Sequence, residues 1–218
     1  MAFSKKTAIL VWAGLTSAIW VGYISLRLTV GGTCPTHIEW ELQKDFNTDK
    51  YLGRWHEMFR HKDVPYEYAD CSTATYSKTS LNRVQIDNRE YELANKKWAR
   101  NNDFPLGQAI VSGWREGLVN VKFFELAPWA NYMVLETDYT TYSIVYNCDD
   151  FAGGSYKDQW LWVLTRDALL VDSAEWITMR DKVFAVIKKK VGSYINPETV
   201  LYSTKQTTGI GCVYAPVP

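Results

Sequence analysis

The chain has 218 residues, with 24 basic side chains against 24 acidic ones and 47% hydrophobic residues. This length allows one ordinary domain plus an appended segment, and the even charge leaves no field to recruit nucleic acid or an acidic partner. Ten Trp, fourteen Tyr and eight Phe suit a strand-rich domain whose interior is either an aromatic core or an apolar pocket.

In chain order the first element is a leader. Lys5 and Lys6 precede an uncharged run from Thr7 to Leu26, closed by Arg27. The apolar part of a cleavable signal is about 7–15 residues long, whereas about 20 are needed to cross a bilayer. The expectation is a retained signal-anchor, a transmembrane helix within residues 1–30. The lysines mark the inner side, which puts residues 31–218 on the extracellular or lumenal side. Cleavage after Val30-Gly31-Gly32, giving a secreted protein, is the alternative.

From Leu52 onward the pattern is of short segments with period two, the signature of strands. Trp55, Glu57 and Phe59 fall on one face of the first, and Arg54, His56 and Met58 on the other. Seven more segments follow: CSTATYS from Cys71, RVQIDNREY from Arg83, LGQAIVSGW from Leu106, LVNVKFFEL from Leu118, NYMVLETDY from Asn131, TYSIVYNC from Thr141 and QWLWVLTRD from Gln159. Short polar or glycine-bearing connections, such as Asn101-Asn102-Asp103 and Gly153-Gly154-Ser155, read as hairpin turns. After Asp172 the period becomes helical. Asp172 with Glu175 reads as a capping box, and Trp176, Met179, Val183 and Ile187 form an apolar stripe. Lys188, Lys189 and Lys190 complement the helix dipole, and Gly192 and Pro197 bound the helix. A last short strand is expected over Val200 to Ser203. The fold class is all-β: eight antiparallel strands, with a C-terminal helix packed outside them.

Cys34, Cys71, Cys148 and Cys212 are widely spaced and include no Cys-x-x-Cys, which argues against zinc or redox chemistry. An even count behind a hydrophobic leader favours disulfides, with three pairings open. His56 and His61 fall on opposite faces of one strand and cannot share a metal. The chain carries no Gly-x-Ser-x-Gly, Walker or His-Glu-x-x-His sequence. No catalytic residue, metal or cofactor is expected, and the protein is read as a non-enzyme.

Gly53-x-Trp55, then Thr137-Asp138-Tyr139, then a late Arg166 resemble, in that order, the three signature regions of the lipocalin family. The resemblance runs from about Cys34 to Cys212 and is nearest to the apolipoprotein D, bacterial lipocalin and retinol-binding branch. It implies an eight-stranded up-and-down barrel whose floor is closed by Trp55 and Arg166, with Asp138 and Tyr139 in a structural turn beside it. It also implies the disulfides Cys34–Cys148 and Cys71–Cys212, each worth on the order of 4–5 kcal/mol in the chain-entropy model. With all four cysteines paired, no thiol remains to act as a nucleophile, as one does in some prostaglandin-handling lipocalins.

With Trp55 inward, alternation turns Phe59 inward too. Matching the other strands to the family's inward positions adds Tyr76, Ile86, Val121, Phe123, Tyr132, Val134, Val145, Trp160 and Trp162. The polar exceptions are Glu57, Asn88 and Glu136. Such a lining suits a lipid, fatty acid, sterol, retinoid or pigment. The competing expectation is that Trp160, Trp162 and Phe123 fill the barrel. Some features depart from soluble carriers: His56 where the branch carries Tyr, no Asn-x-Ser/Thr sequon, and the anchor. They support a second reading, a membrane-anchored structural subunit held among other membrane-protein subunits, for instance on the outer face of an organelle's inner membrane.

Overall fold

The computed structural model describes residues 30–36, 41–98, 106–111, 117–206 and 211–214. The leader and the Asn101-Asn102-Asp103 turn fall outside these. Among the described residues no helix is long and apolar enough to cross a membrane.

The strands are β1 (Val30–Gly31), β2 (Gly53–His61), β3 (Asp70–Ser80), β4 (Arg83–Glu92), β5 (Lys97–Trp98), β6 (Gly107–Val111), β7 (Leu118–Lys122), β8 (Ala130–Thr137), β9 (Tyr142–Phe151), β10 (Tyr156–Thr165) and β11 (Leu201–Ser203). A short helix α1 (Thr48–Tyr51) precedes β2, and α2 (Ala174–Val191) and α3 (Pro197–Val200) follow β10. Each strand from β2 to β10 pairs antiparallel with its neighbour in the chain, except that β5 only extends β4, which goes on to pair with β6. Pairing of β10 with β2 closes the sheet. The expected eight-stranded barrel is therefore present, and closure removes the exposed edges an open sheet would carry.

Period-two alternation divides the apolar residues into two clusters. The interior cluster gathers Trp55, Tyr76, Val84, Ile86, Val121, Val134, Val145 and Leu164. The other lies between the outer barrel wall and α2, and includes Met58, Phe59, Leu135, Ile144, Leu161, Val163, Trp176, Val183 and Ile187. Trp176, Val183, Ile187 and Val191 are the buried residues of α2, which makes it a helix docked by one stripe. Each such side chain contributes about 1.5–3 kcal/mol through burial. The helix starts one residue later than the sequence suggests. Ser173 is the N-cap and accepts from the Trp176 N–H, while Asp172 lies outside the cap with φ +66°.

Beside two register shifts in β3, inserted residues in β2 and β8 break the alternation where it bears on the interior. In β2, Val163 of β10 faces Phe59 but the next residue, Leu164, faces Glu57, so Met58 is an extra, bulged residue. In β8, Val134 faces Val145 and Glu136 faces Ile144, which leaves Leu135 as the extra one. A bulge inserts one residue and reverses the phase beyond it. The freed carbonyls find donors: the Thr204 N–H reaches Met58 O at 3.1 Å, and Lys190 Nζ reaches Leu135 O at 2.9 Å.

Candidate ligand site

The closed end is assembled first by local geometry. Gly53 has φ +91°, a conformation that favours glycine, and a Cβ there would lie 3.5 Å from Arg166 Nη1. The Arg166 guanidinium sits 3.7 Å from the Trp55 ring centroid. Arg166 also donates to the carbonyls of Tyr139 at 2.9 Å, Arg54 at 2.8 Å and Lys50 at 3.0 Å. Burial pulls its pKa down, opposed by Tyr51 and Asp138. Asp138 accepts from the backbone N–H groups of Thr140, Thr141 and Tyr142. Burial alone would raise the Asp138 carboxyl, but these bonds and the Thr141 hydroxyl outweigh it and hold the pKa low. Asn47 N–H donates to the Tyr139 hydroxyl at 2.9 Å, tying the α1 segment to the turn. All these groups serve to close the floor.

Above the floor a chain of hydroxyls crosses the interior. Ser143 Oγ meets Tyr51 Oη at 2.9 Å, Tyr51 meets Tyr132 at 2.8 Å, and Tyr132 meets Tyr76 at 2.8 Å. Burial pushes the Tyr51 phenol up to about 12, despite the hydrogen bonds from Ser143 and Tyr132. Tyr76 and Tyr132 are likewise held well above the usual phenol range by burial, so all three remain protonated donors. Beside this chain lies a cavity of about 20 Å³ lined by Phe46, Leu52, Val84, Val111, Val119 and Tyr132, among others. That is room for one water molecule.

Tyr76, Ile86, Val121, Phe123, Tyr132, Val134, Val145 and Trp162 are brought together in the interior cluster, as expected. Phe123 lies across Gly107, where a Cβ would come within 2.6 Å of its ring. Trp160, opposite Asn147 and nearer the open end than Trp162, is buried with its ring edge-on to His61 at 5.3 Å. Phe59 does not join them. The bulge at Met58 turns it to the outer wall, where it packs on Trp176 at 5.3 Å and Phe184 at 5.2 Å. Glu136 is turned out for the same reason by the bulge at Leu135, and approaches Lys190 at 3.7 Å. Cys34–Cys148 and Cys71–Cys212 are the bonded pairs.

At the open end alternation alone does not foresee what the bulge brings in. Arg60, opposite Trp162, is buried beside Glu57 and donates to its Oε1 at 2.9 Å. Glu67, on the β2–β3 connection, accepts from Trp162 Nε1 at 2.8 Å. Glu90 continues the inward face of Val84, Ile86 and Asn88 on β4, and is 1% exposed. Its Oε2 accepts from the Ala69 N–H at 3.4 Å, whereas its Oε1 is buried without a partner. Burial and then Glu57 push the Glu90 carboxyl up to about 7. Glu67 is raised well above the carboxylate range by burial, Glu57 and Glu90. Burial lowers the Arg60 pKa, but the ion pair with Glu57 outweighs it and holds the pKa above its ordinary value.

The closed antiparallel barrel, the guanidinium-on-indole floor and the outer helix together define a small-molecule-binding type of β-barrel. A family model described as a lipocalin-like domain matches residues 46–186, and the chain belongs to the lipocalin family. Apolipoprotein D of Oryctolagus cuniculus is 35% identical over 140 residues, 64% of this chain and 69% of that protein. The Lazarillo protein of Schistocerca americana is 30% identical over 135 residues, 56% of each chain. In fold, lobster apocrustacyanin A1 superposes with a TM-score of 0.64 at 21% identity, covering 83% of this chain and 92% of that one. Insecticyanin of the tobacco hornworm Manduca sexta gives 0.61 at 18% identity, covering 87% and 94%.

Proposed function

We propose that the protein binds and carries a small apolar molecule, a lipid, fatty acid, sterol, retinoid or pigment, inside the barrel. The observation that carries this reading is the interior itself: apolar and tyrosyl side chains line a cavity inside the closed barrel wall, towards its floor. Burying roughly 300 Å² of such a ligand at ~25 cal/mol/Å² is worth roughly 7 kcal/mol before ordering costs. Because the cavity is small, a ligand must displace side chains that line it, such as Tyr76 and Tyr132, from their present rotamers, and that displacement subtracts from the affinity. The reading gives no group a catalytic role. Two disulfides suit an oxidising, extracellular or lumenal side. The leader, retained as an anchor, would hold the barrel at the membrane surface through the few residues between Arg27 and Cys34.

Mass analysis of lipid extracted from the purified protein, with tryptophan-fluorescence titration by apolar ligands, tests the proposal. Bound lipid or saturable quenching is expected; a lipid-free protein that no apolar ligand quenches rules it out. The small cavity favours a second reading, a membrane-anchored structural subunit, which predicts stable co-purifying subunits instead.

A further inference from the structure

The barrel mouth gathers the carboxyls of Glu57, Glu67 and Glu90 around one guanidinium, Arg60. Arg60 is already committed: Nη1 donates to Glu57 Oε1 at 2.9 Å, to Ala69 O at 3.0 Å and to Thr204 Oγ1 at 3.3 Å, and its face covers the Tyr202 ring at 4.6 Å. Glu57 is satisfied in turn by Arg60, by the Thr204 hydroxyl at 2.6 Å and by Ser72 at 3.5 Å. Among the described residues, Glu67 and Glu90 share the field of Arg60 but form no ion pair of their own. Glu90 Oε1 is buried and unpartnered, and so is Asn88 Oδ1, two residues away on the same inward face of β4. Orphaned acceptors inside a protein cost about 1–3 kcal/mol each unless something donates to them.

We propose that the open end of the barrel is a binding site for an organic ammonium group, the head of an amphipathic amine whose tail occupies the apolar interior. An alkylammonium brings one positive charge and up to three N–H donors, which matches a mouth whose described residues offer three carboxyls to one guanidinium. A hydroxyl head supplies one donor and no charge. A carboxylate head would add a further negative charge among three acidic side chains. A bare metal ion fits less well, since among the described residues no three His, Cys, Asp or Glu side chains converge to hold one. The indole of Trp162, hydrogen-bonded to Glu67 at 2.8 Å, adds an aromatic face on which an ammonium is further stabilised. Glu67 lies between Tyr66 and Tyr68, which are 42% and 52% exposed. The raised pKa values of Glu67 and Glu90 are consistent with a site where a proton now occupies the place of the cation.

The tail half of this proposal rests on the carrier reading, and the test separates the two. Dodecylamine, 1-dodecanol and dodecanoic acid are titrated into the full chain at mildly alkaline pH, with calorimetry and tryptophan quenching as readouts. The amine should bind about tenfold tighter than the alcohol, a difference of about 1.4 kcal/mol, and the acid weakest. In Glu67→Gln and Glu90→Gln the amine-to-alcohol ratio should fall to within about twofold. Equal binding of all three ligands overturns the ammonium site and leaves the carrier reading standing. If none of the three binds, both fall. An amine preference that survives both substitutions also overturns the site.

Discussion

Replacing Glu90 by Gln removes a buried charge while keeping an acceptor for the Ala69 N–H. In the folded protein this carboxyl titrates near 7 rather than at its ordinary 4.5. Below the ordinary value it is protonated in both folded and unfolded chains. Between the two values the folded state keeps a proton that the unfolded state has released, so unfolding loses a proton and stability falls as pH rises. Above about 7 the folded state must carry the buried charge. At 1.36 kcal/mol per pH unit the full interval is worth about 3 kcal/mol, part of it shared with Glu57 and Glu67. The Gln variant should therefore be about 2–3 kcal/mol more stable than wild type at mildly alkaline pH, with the two curves converging in acid. Urea unfolding followed by tryptophan fluorescence across the pH range measures this. His56 titrates in the same window with the opposite sign. Burial and then Arg54 lower its pKa to about 4, so its contribution to stability is lost as pH falls, but it is common to both proteins and cancels in the comparison. Parallel profiles, or a Gln variant less stable in alkali, would refute the reasoning. Wild type tolerating such a cost is what a binding site paid for in stability looks like.

Two further outcomes follow from the packing. Phe59→Ala should cost about 3–5 kcal/mol in urea unfolding, the loss of a large buried aromatic beneath the helix, and leave the ranking of ligand affinities unchanged; lost ligand binding at undiminished stability would return Phe59 to the interior. The double substitution Cys71→Ser, Cys212→Ser opens a loop with a sequence separation of 141 and should lower stability by about 4–5 kcal/mol relative to the oxidised wild type, measured by urea unfolding without reductant; an unchanged midpoint refutes it.

Much of this arrangement can be read directly from the chain. The strands and the outer helix follow from period, while the floor pair Trp55 and Arg166 and both disulfides follow from the family resemblance. The inward positions implied by the family resemblance for Tyr76, Ile86, Tyr132 and Trp162 agree with the interior cluster, because their strands run without an inserted residue at those positions. Alternation fails for Phe59 and Glu136, where Met58 and Leu135 are bulged out. Nothing in the local sequence marks a bulge, because the donors that stabilise it, Thr204 and Lys190, come from distant segments. The same phase reversal hid Arg60 as an inward residue. Glu90 was within reach, being the next inward position after Asn88 on an unbroken strand. Glu67 was not, since a loop carries no periodicity to say which way its side chain turns.

The tail of the chain has a consequence for the timing of folding. β2 pairs with β3 only over Gly53–His56; beyond that, β11 takes the place beside Phe59–His61. Lys205 O accepts the Cys71 N–H, and the Gln206 amide spans from Glu57 O to Ser72 O. The upper edges of β2 and β3 are thus sealed by residues made late: Arg60 and its partner Thr204 are 144 positions apart. At 5–20 residues per second of synthesis, that separation is roughly seven to thirty seconds. Through that interval one of the first strands to emerge presents an unpaired edge, the kind that templates aggregation. A chain stopped before Leu201 leaves that edge open at all later times, so the solubility of an early strand depends on the completion of a late one.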